Sequence, residues 1–251
     1  MRAVSIILAA ICAYLMAGSP VLAGDFAAVR PLGFSADGRY FAFEEFGTRD
    51  ASVHPFATIH VVALDSGAPV AGSPFAVEIH RENAPEQEAR AEALKQAAAM
   101  LQRLGIGREP AAGASDPQSD LTEGVTPDRA RAAIEAQASR LAIEGAVAGG
   151  PLTVEVVSSP TRDADCATLG RDDVEGFSLI RILPSGERAT VHVDTGKASA
   201  RHCPLRYGLA ALYLFKPDRG RARLVALVAY FPRTWEEPDR RFLAVPVALP
   251  D

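Results

Sequence analysis

Hydrophobic positions along this chain follow two rhythms, one of period two and one of period near 3.6. The first dominates. Between Gly33 and Gly67 the residues Tyr40, Phe41, Phe43 and Phe46 form an aromatic, near-continuous run, which predicts a strand covered on both faces. Asp37-Gly38 supplies the turn before it, because glycine accepts positive φ and aspartate bonds its own turn. Thr58 to Leu64 reads as a second strand closed by Asp65-Ser66-Gly67, and Phe75 to Ile79 as a short third one. After Gly149-Gly150-Pro151 strands are predicted at Leu152–Val157, Phe177–Leu183, Ala189–Val193, Leu209–Phe215, Arg223–Phe231 and Phe242–Ala248. Turns at Pro184-Ser185-Gly186 and Pro217-Asp218-Arg219-Gly220 pair neighbours into antiparallel hairpins.

The helical rhythm is confined to the middle. Leu94, Leu101 and Leu104 within Glu82–Gly105, and Ile134, Ala138 and Leu141 within Thr126–Glu144, are spaced for two amphipathic helices. Thr126 caps the second, with Pro127 at its first position; Gly105 and Gly107 end the first. The predicted class is α+β, mainly β: an antiparallel β-sandwich or partly closed barrel of about nine strands, with an Ala-rich αα-hairpin insert over 82–145.

The N-terminus changes the picture from fold to address. Arg2, an apolar run from Ala3 to Met16, the break at Gly18-Ser19-Pro20 and small residues at Val21 and Ala23 spell a signal peptide cleaved after Ala23. One β-rich domain, 24–251, is left for the periplasm or the exterior. The apolar run is shorter than the ~20 residues a membrane span needs, and no later stretch is long and apolar enough. The chain of 251 residues carries a net charge of -5, with its arginines scattered, so there is no basic footprint for nucleic acid. Cleavage also removes Cys12. Cys166 and Cys203 then remain, and two cysteines in an oxidising compartment predict one disulfide.

Candidate chemistry is thin. Ser35, in Gly33-Phe34-Ser35-Ala36-Asp37, lacks the last glycine and the following helix of a nucleophile elbow, and reads as a turn residue. Asp163, Asp165, Asp172 and Asp173 surround Cys166, but a calcium loop counted from Asp163 has Thr168 and Val174 where glycine and glutamate belong. His192 and Asp194 share a strand face and His202 adjoins Cys203, the residue types of a zinc or iron site. They define the alternative reading, a metal-assisted hydrolase or other periplasmic enzyme. Glu44, Glu45, Glu236 and Glu237 are carboxylates whose separations a sequence does not give. Trp235, the only tryptophan, sits in a Pro-framed loop with Arg240 and Arg241, a candidate recognition loop in which paired arginines can clamp a carboxylate.

Phe34 to Arg39 with its following strand resembles one blade of a TolB-like propeller, but no repeat of it is visible and a propeller needs several. Three stretches together are more specific: GFSADGRYFAFEEFGTRD, HVDTGKASARHCPLRYGL and EEPDRRFLAVPV. They resemble the bacterial predicted secreted proteins of domain-of-unknown-function family 2259. Two departures stand out: Ala200-Arg201-His202 where the family pattern has Ser-Arg-Gly, and Trp235-Glu236-Glu237-Pro238 where it has Phe-Glu-Gly-Pro. The resemblance implies export and a shared fold and carries no site residues. Export without a coherent nucleophile, acid–base pair, metal set or cofactor motif reads as a non-enzymatic binding or envelope-interaction module, its partner an unknown envelope component or small ligand.

Overall fold

The computed structural model describes residues 25–81, 83–117, 135–234 and 238–250. Its order is β1 (Ala28–Ser35), β2 (Tyr40–Thr48), β3 (Pro55–Ala63), β4 (Phe75–Glu78), α1 (Glu86–Leu104), β5 (Ile106–Arg108), β6 (Ala112–Ser115), β7 (Arg140–Val147) and β8 (Gly150–Thr161). There follow α2 (Ala164–Thr168), β9 (Val174–Ile182), β10 (Arg188–Val193), a 3-10 turn at Ala198–Arg201, β11 (Pro204–Phe215), β12 (Arg223–Pro232) and β13 (Arg241–Val247). The molecule is mainly β, a curled antiparallel half-barrel. Three sheets, rather than the two of a sandwich, share the described residues: β4-β3-β2-β1-β5, β10-β9-β8-β7 and β13-β12-β11-β6.

The third sheet is central because both its faces are apolar. Along β12, Val225, Leu227, Ala229 and Phe231 meet Phe34, Phe41, Phe43 and Phe56 of the five-stranded sheet. The alternate residues Leu224, Ala226 and Val228 meet Leu152, Val154, Phe177 and Leu179 of β8 and β9. A strand buried on both sides has no polar face to show, which is why residues 224–231 read as a continuous apolar run. On its outer side the five-stranded sheet is covered by α1, whose buried stripe is Ala89, Ala93, Ala97 and Met100 against Ala42, Phe46, Ile59 and Val61. Alanine at i, i+4, i+8 lets the helix lie close to the sheet.

β2 is therefore covered on both faces, as its sequence predicts: Phe41 and Phe43 face inward, Ala42 and Phe46 face the helix. The turn before it is built by Ser35, whose Oγ accepts from the backbone N–H groups of Arg39 and Tyr40 at 3.1 and 3.0 Å and bonds Asp37 at 2.6 Å. Gly33 sits at a register shift of β1 with φ +112°, and a Cβ there would meet the Arg108 carbonyl oxygen at 2.6 Å. Only glycine fits that approach.

The helical hairpin is corrected. α1 occupies most of Glu82–Gly105, but residues 140–144, predicted to end the second helix, belong to β7. Leu141 and Ile143 pair with Val154 and Leu152 of β8 and point to one face. The apolar interior across the sheet decides the period here, overriding the helix propensity of the alanines. Residues 126–134 of that predicted helix lie outside the described residues, residues 135–136 are helical, and the predicted signal peptide also lies outside the described residues.

Candidate functional site

A cleft of about 710 Å³ opens beside β13, the edge strand of the central sheet. Its walls are the Leu64–Gly67 turn, Val191 and His192 of β10, the entry to β12 at residues 221–224, and residues 244–250. Each wall has a local cause. The turn reverses at Gly67, φ +72°, and rests on Pro246, whose Cδ would lie 3.4 Å from a Cβ at that glycine. Pro246 itself removes an N–H from an edge strand, which discourages indiscriminate strand pairing. The tail beyond β13 is held by Arg181, whose Nη1 donates to the Ala248 carbonyl at 2.9 Å. Arg223 Nη2 donates to Asp65 Oδ1 at 2.8 Å in the same wall. Apolar lining comes from Ala146, Val191, Ala222, Val245, Val247 and Leu249. A concave space of this size, with apolar and polar groups both in its walls, has the dimensions of a small-molecule site.

His192 stands in that wall, but the metal set predicted with it does not assemble. Its ring stacks on Phe177 at 5.2 Å, and burial pushes its pKa down. The Asp194 carboxylate is taken by Arg201 and by the Gly196 N–H. Among the described residues His192, Asp194 and His202 form no convergent ligand group. His202 instead closes the 3-10 turn as a left-handed residue with φ +56°.

The Cys166–Cys203 disulfide is present and buried, joining α2 to that turn. Asp163 organises the same corner. Its carboxylate accepts from the N–H groups of Asp165 and Cys166 as N-cap of α2, and from the N–H and Oγ–H of Ser199 at 2.9 and 3.0 Å across the corner. The Ser199 N–H, ahead of its other partners, holds its pKa below the ordinary value. Asp165 pairs with Lys197 and Asp173 with Arg233. Asp163, Asp165 and Asp173, three of the four acidic residues considered for calcium, are thus engaged by protein donors.

Arg240 and Arg241 do not project from a loop tip. Arg240 is fully buried; its Nε donates to the Ala27 carbonyl at 2.8 Å and its guanidinium lies 3.8 Å from the Phe26 ring centroid. Arg241 is gathered among carboxylates: Asp25 at 3.1 Å, Asp239 at 3.4 Å and Glu45 at 3.6 Å. Glu45 also accepts from the Phe242 N–H at 3.0 Å, and burial, opposed by Arg241, pushes its pKa up to about 7. Next to it on β2, Glu44 faces the helix and takes a bidentate Arg90 at 3.0 and 2.8 Å. Adjacent strand residues point to opposite faces, so the two carboxylates cannot flank one substrate. Trp235, Glu236 and Glu237 lie outside the described residues.

Sequence reasoning passed over Asp25, Arg49 and Asp239, which complete this charged end. Arg49 bridges Asp25 and Glu78. Residues so far apart in sequence carry no local signal of their pairing.

The family model for Predicted secreted protein (DUF2259) matches residues 42–248, and the chain belongs to that family. No curated protein and no solved structure matches it. Among the described residues no helix is long and apolar enough to cross a membrane.

Proposed function

From membership in a family of secreted proteins we propose that this chain is an exported, non-enzymatic binding module of the periplasm or exterior, freed from its signal peptide after Ala23. Its ligand is a small amphipathic molecule, and its site is the cleft beside β13. The cleft carries this reading: apolar residues line it, Arg221, Arg223, His192 and Asp65 sit around it, and its wall segments are fixed by named contacts rather than left to close on a ligand. Preformed walls reduce the ordering cost of binding.

Two measurements test it. The exported protein should have the mass of Gly24–Asp251 and show two alkylatable thiols only after reduction; a retained leader or free thiols would remove the compartment from the argument. The fluorescent probe 1-anilinonaphthalene-8-sulfonate should bind saturably at one site. Ala222→Trp, which fills the cleft, should abolish that binding without unfolding the protein, while a control at the exposed Leu169 should leave it intact. Dye binding indifferent to Ala222→Trp would move the site elsewhere.

A further inference from the structure

A second cluster lies where β3 begins and β4 ends, formed by His54, Glu78 and His80, none of which lines the cleft. Strand pairing puts them together. Phe56 opposes Glu78, and the Ile79 N–H donates to the Pro55 carbonyl, so the antiparallel register carried outward sets His54 against His80. Glu78 and His80 are two apart and so share the face on which His54 lies.

The carboxylate is already oriented. Arg49 Nε holds Oε2 of Glu78 at 3.1 Å, and Arg49 is itself paired with Asp25 and stacked over Phe56 at 4.3 Å. The other oxygen, Oε1, is left facing Nδ1 of His54 at 3.5 Å and Nδ1 of His80 at 3.7 Å. One ligand atom from each residue lies within 4.8 Å of the others. Zinc bonds of about 2.0–2.1 Å at tetrahedral angles set neighbouring ligand atoms about 3.4 Å apart, so two edges of the ligand triangle are nearly in place. The third closes by movement of His80, whose side chain is 75% exposed, toward His54, at 21%.

We propose that His54, Glu78 and His80 bind a divalent late first-row transition ion, zinc being the closest fit, with solvent completing the coordination. Two imidazoles and one carboxylate suit such ions, whereas calcium and magnesium take oxygen ligands almost entirely. The outer hydrogen bond from Arg49 to the bound carboxylate is the kind of support that fixes a ligand's orientation.

The test is zinc titration of the chelator-stripped, tag-free exported protein against a chromogenic zinc chelator. One equivalent should bind, and two histidine side-chain NMR signals should shift with it. His80→Ala should weaken binding roughly tenfold or more, and His54→Asn likewise, while His192→Ala should leave it unchanged. The exposure of His80 makes its variant safe for folding, so it decides the matter even if the His54 variant fails to fold. No zinc binding at protein concentration, or binding indifferent to His80→Ala, would overturn the site and leave the cleft reading standing.

Discussion

The two faces of the central sheet are buried equally and built differently. Against β8 and β9 the interface is largely aliphatic, with Leu152, Leu179, Leu209 and Leu212 fully buried. Against the five-stranded sheet it is aromatic and ends in charge: Phe41, Phe43 and Phe231 give way to Glu45, His60, Arg240 and Arg241. The His60 ring stacks on Phe43 at 4.6 Å, and its Nε2 is buried without a hydrogen-bond partner among the described residues. The first face tolerates any well-shaped apolar residue. The second depends on particular partners, because a buried charge that loses its counterion keeps its full desolvation cost.

Shape-conserving substitutions separate the two most strongly. Arg241→Met should cost about 3–5 kcal/mol in urea unfolding, since Glu45, Asp25 and Asp239 would stay clustered without their shared cation. Leu209→Met on the aliphatic face should cost less than about 1.5 kcal/mol, although Leu209→Ala, which leaves a cavity, should cost roughly 3 kcal/mol. Equal losses for the two methionine variants would erase the distinction.

Acidity sharpens it further. The Glu45 pKa is raised from 4.5 to about 7 by burial, so between those values the folded chain holds a proton the unfolded chain has lost, and stability falls as pH rises. Burial lowers His60 from 6.5 to about 4, so there the unfolded chain holds the extra proton and stability rises with pH. Arg241 faces both groups, with Asp239 and Arg49 also acting on Glu45. The opposing slopes offset each other up to about pH 6.5, and above it the Glu45 slope outweighs the fading His60 one. Stability should drop by roughly half a kcal/mol between about pH 6.5 and 8, and Glu45→Gln should remove that drop. An unchanged slope in the variant would place the titration elsewhere.

The same division decided what was legible in the sequence. Strands with one kind of environment announced themselves: the apolar run of β12, the near-continuous aromatic run of β2 and the Asp37-Gly38 turn. β7 did not, because Ala142 and Ala146 suit a helix and only Leu141 and Ile143 keep the period of two. β5 and β6, of three and four residues, are too short for any periodicity and follow from the edges they pair with. The disulfide was legible from composition. The charged end was not, since Asp25, Glu45, Asp239 and Arg241 meet through register and sheet packing rather than local spacing. His54 and His80 likewise become neighbours only once the β3–β4 register is known.

Residues 25–27 and 239–241, far apart in sequence, are sewn together at this charged corner. Asp25 N–H donates to Asp239, Arg240 Nε to Ala27 and Arg241 to Asp25, contacts spanning 213 to 216 positions. A ribosome makes the first of these residues long before the last, and an exported chain crosses the membrane in the same order. Glu45 therefore stays in water until the final strand arrives to enclose it. The seam is a completeness check: a product released before Asp239 has no way to shut it, and offers proteases an open end that the finished molecule does not.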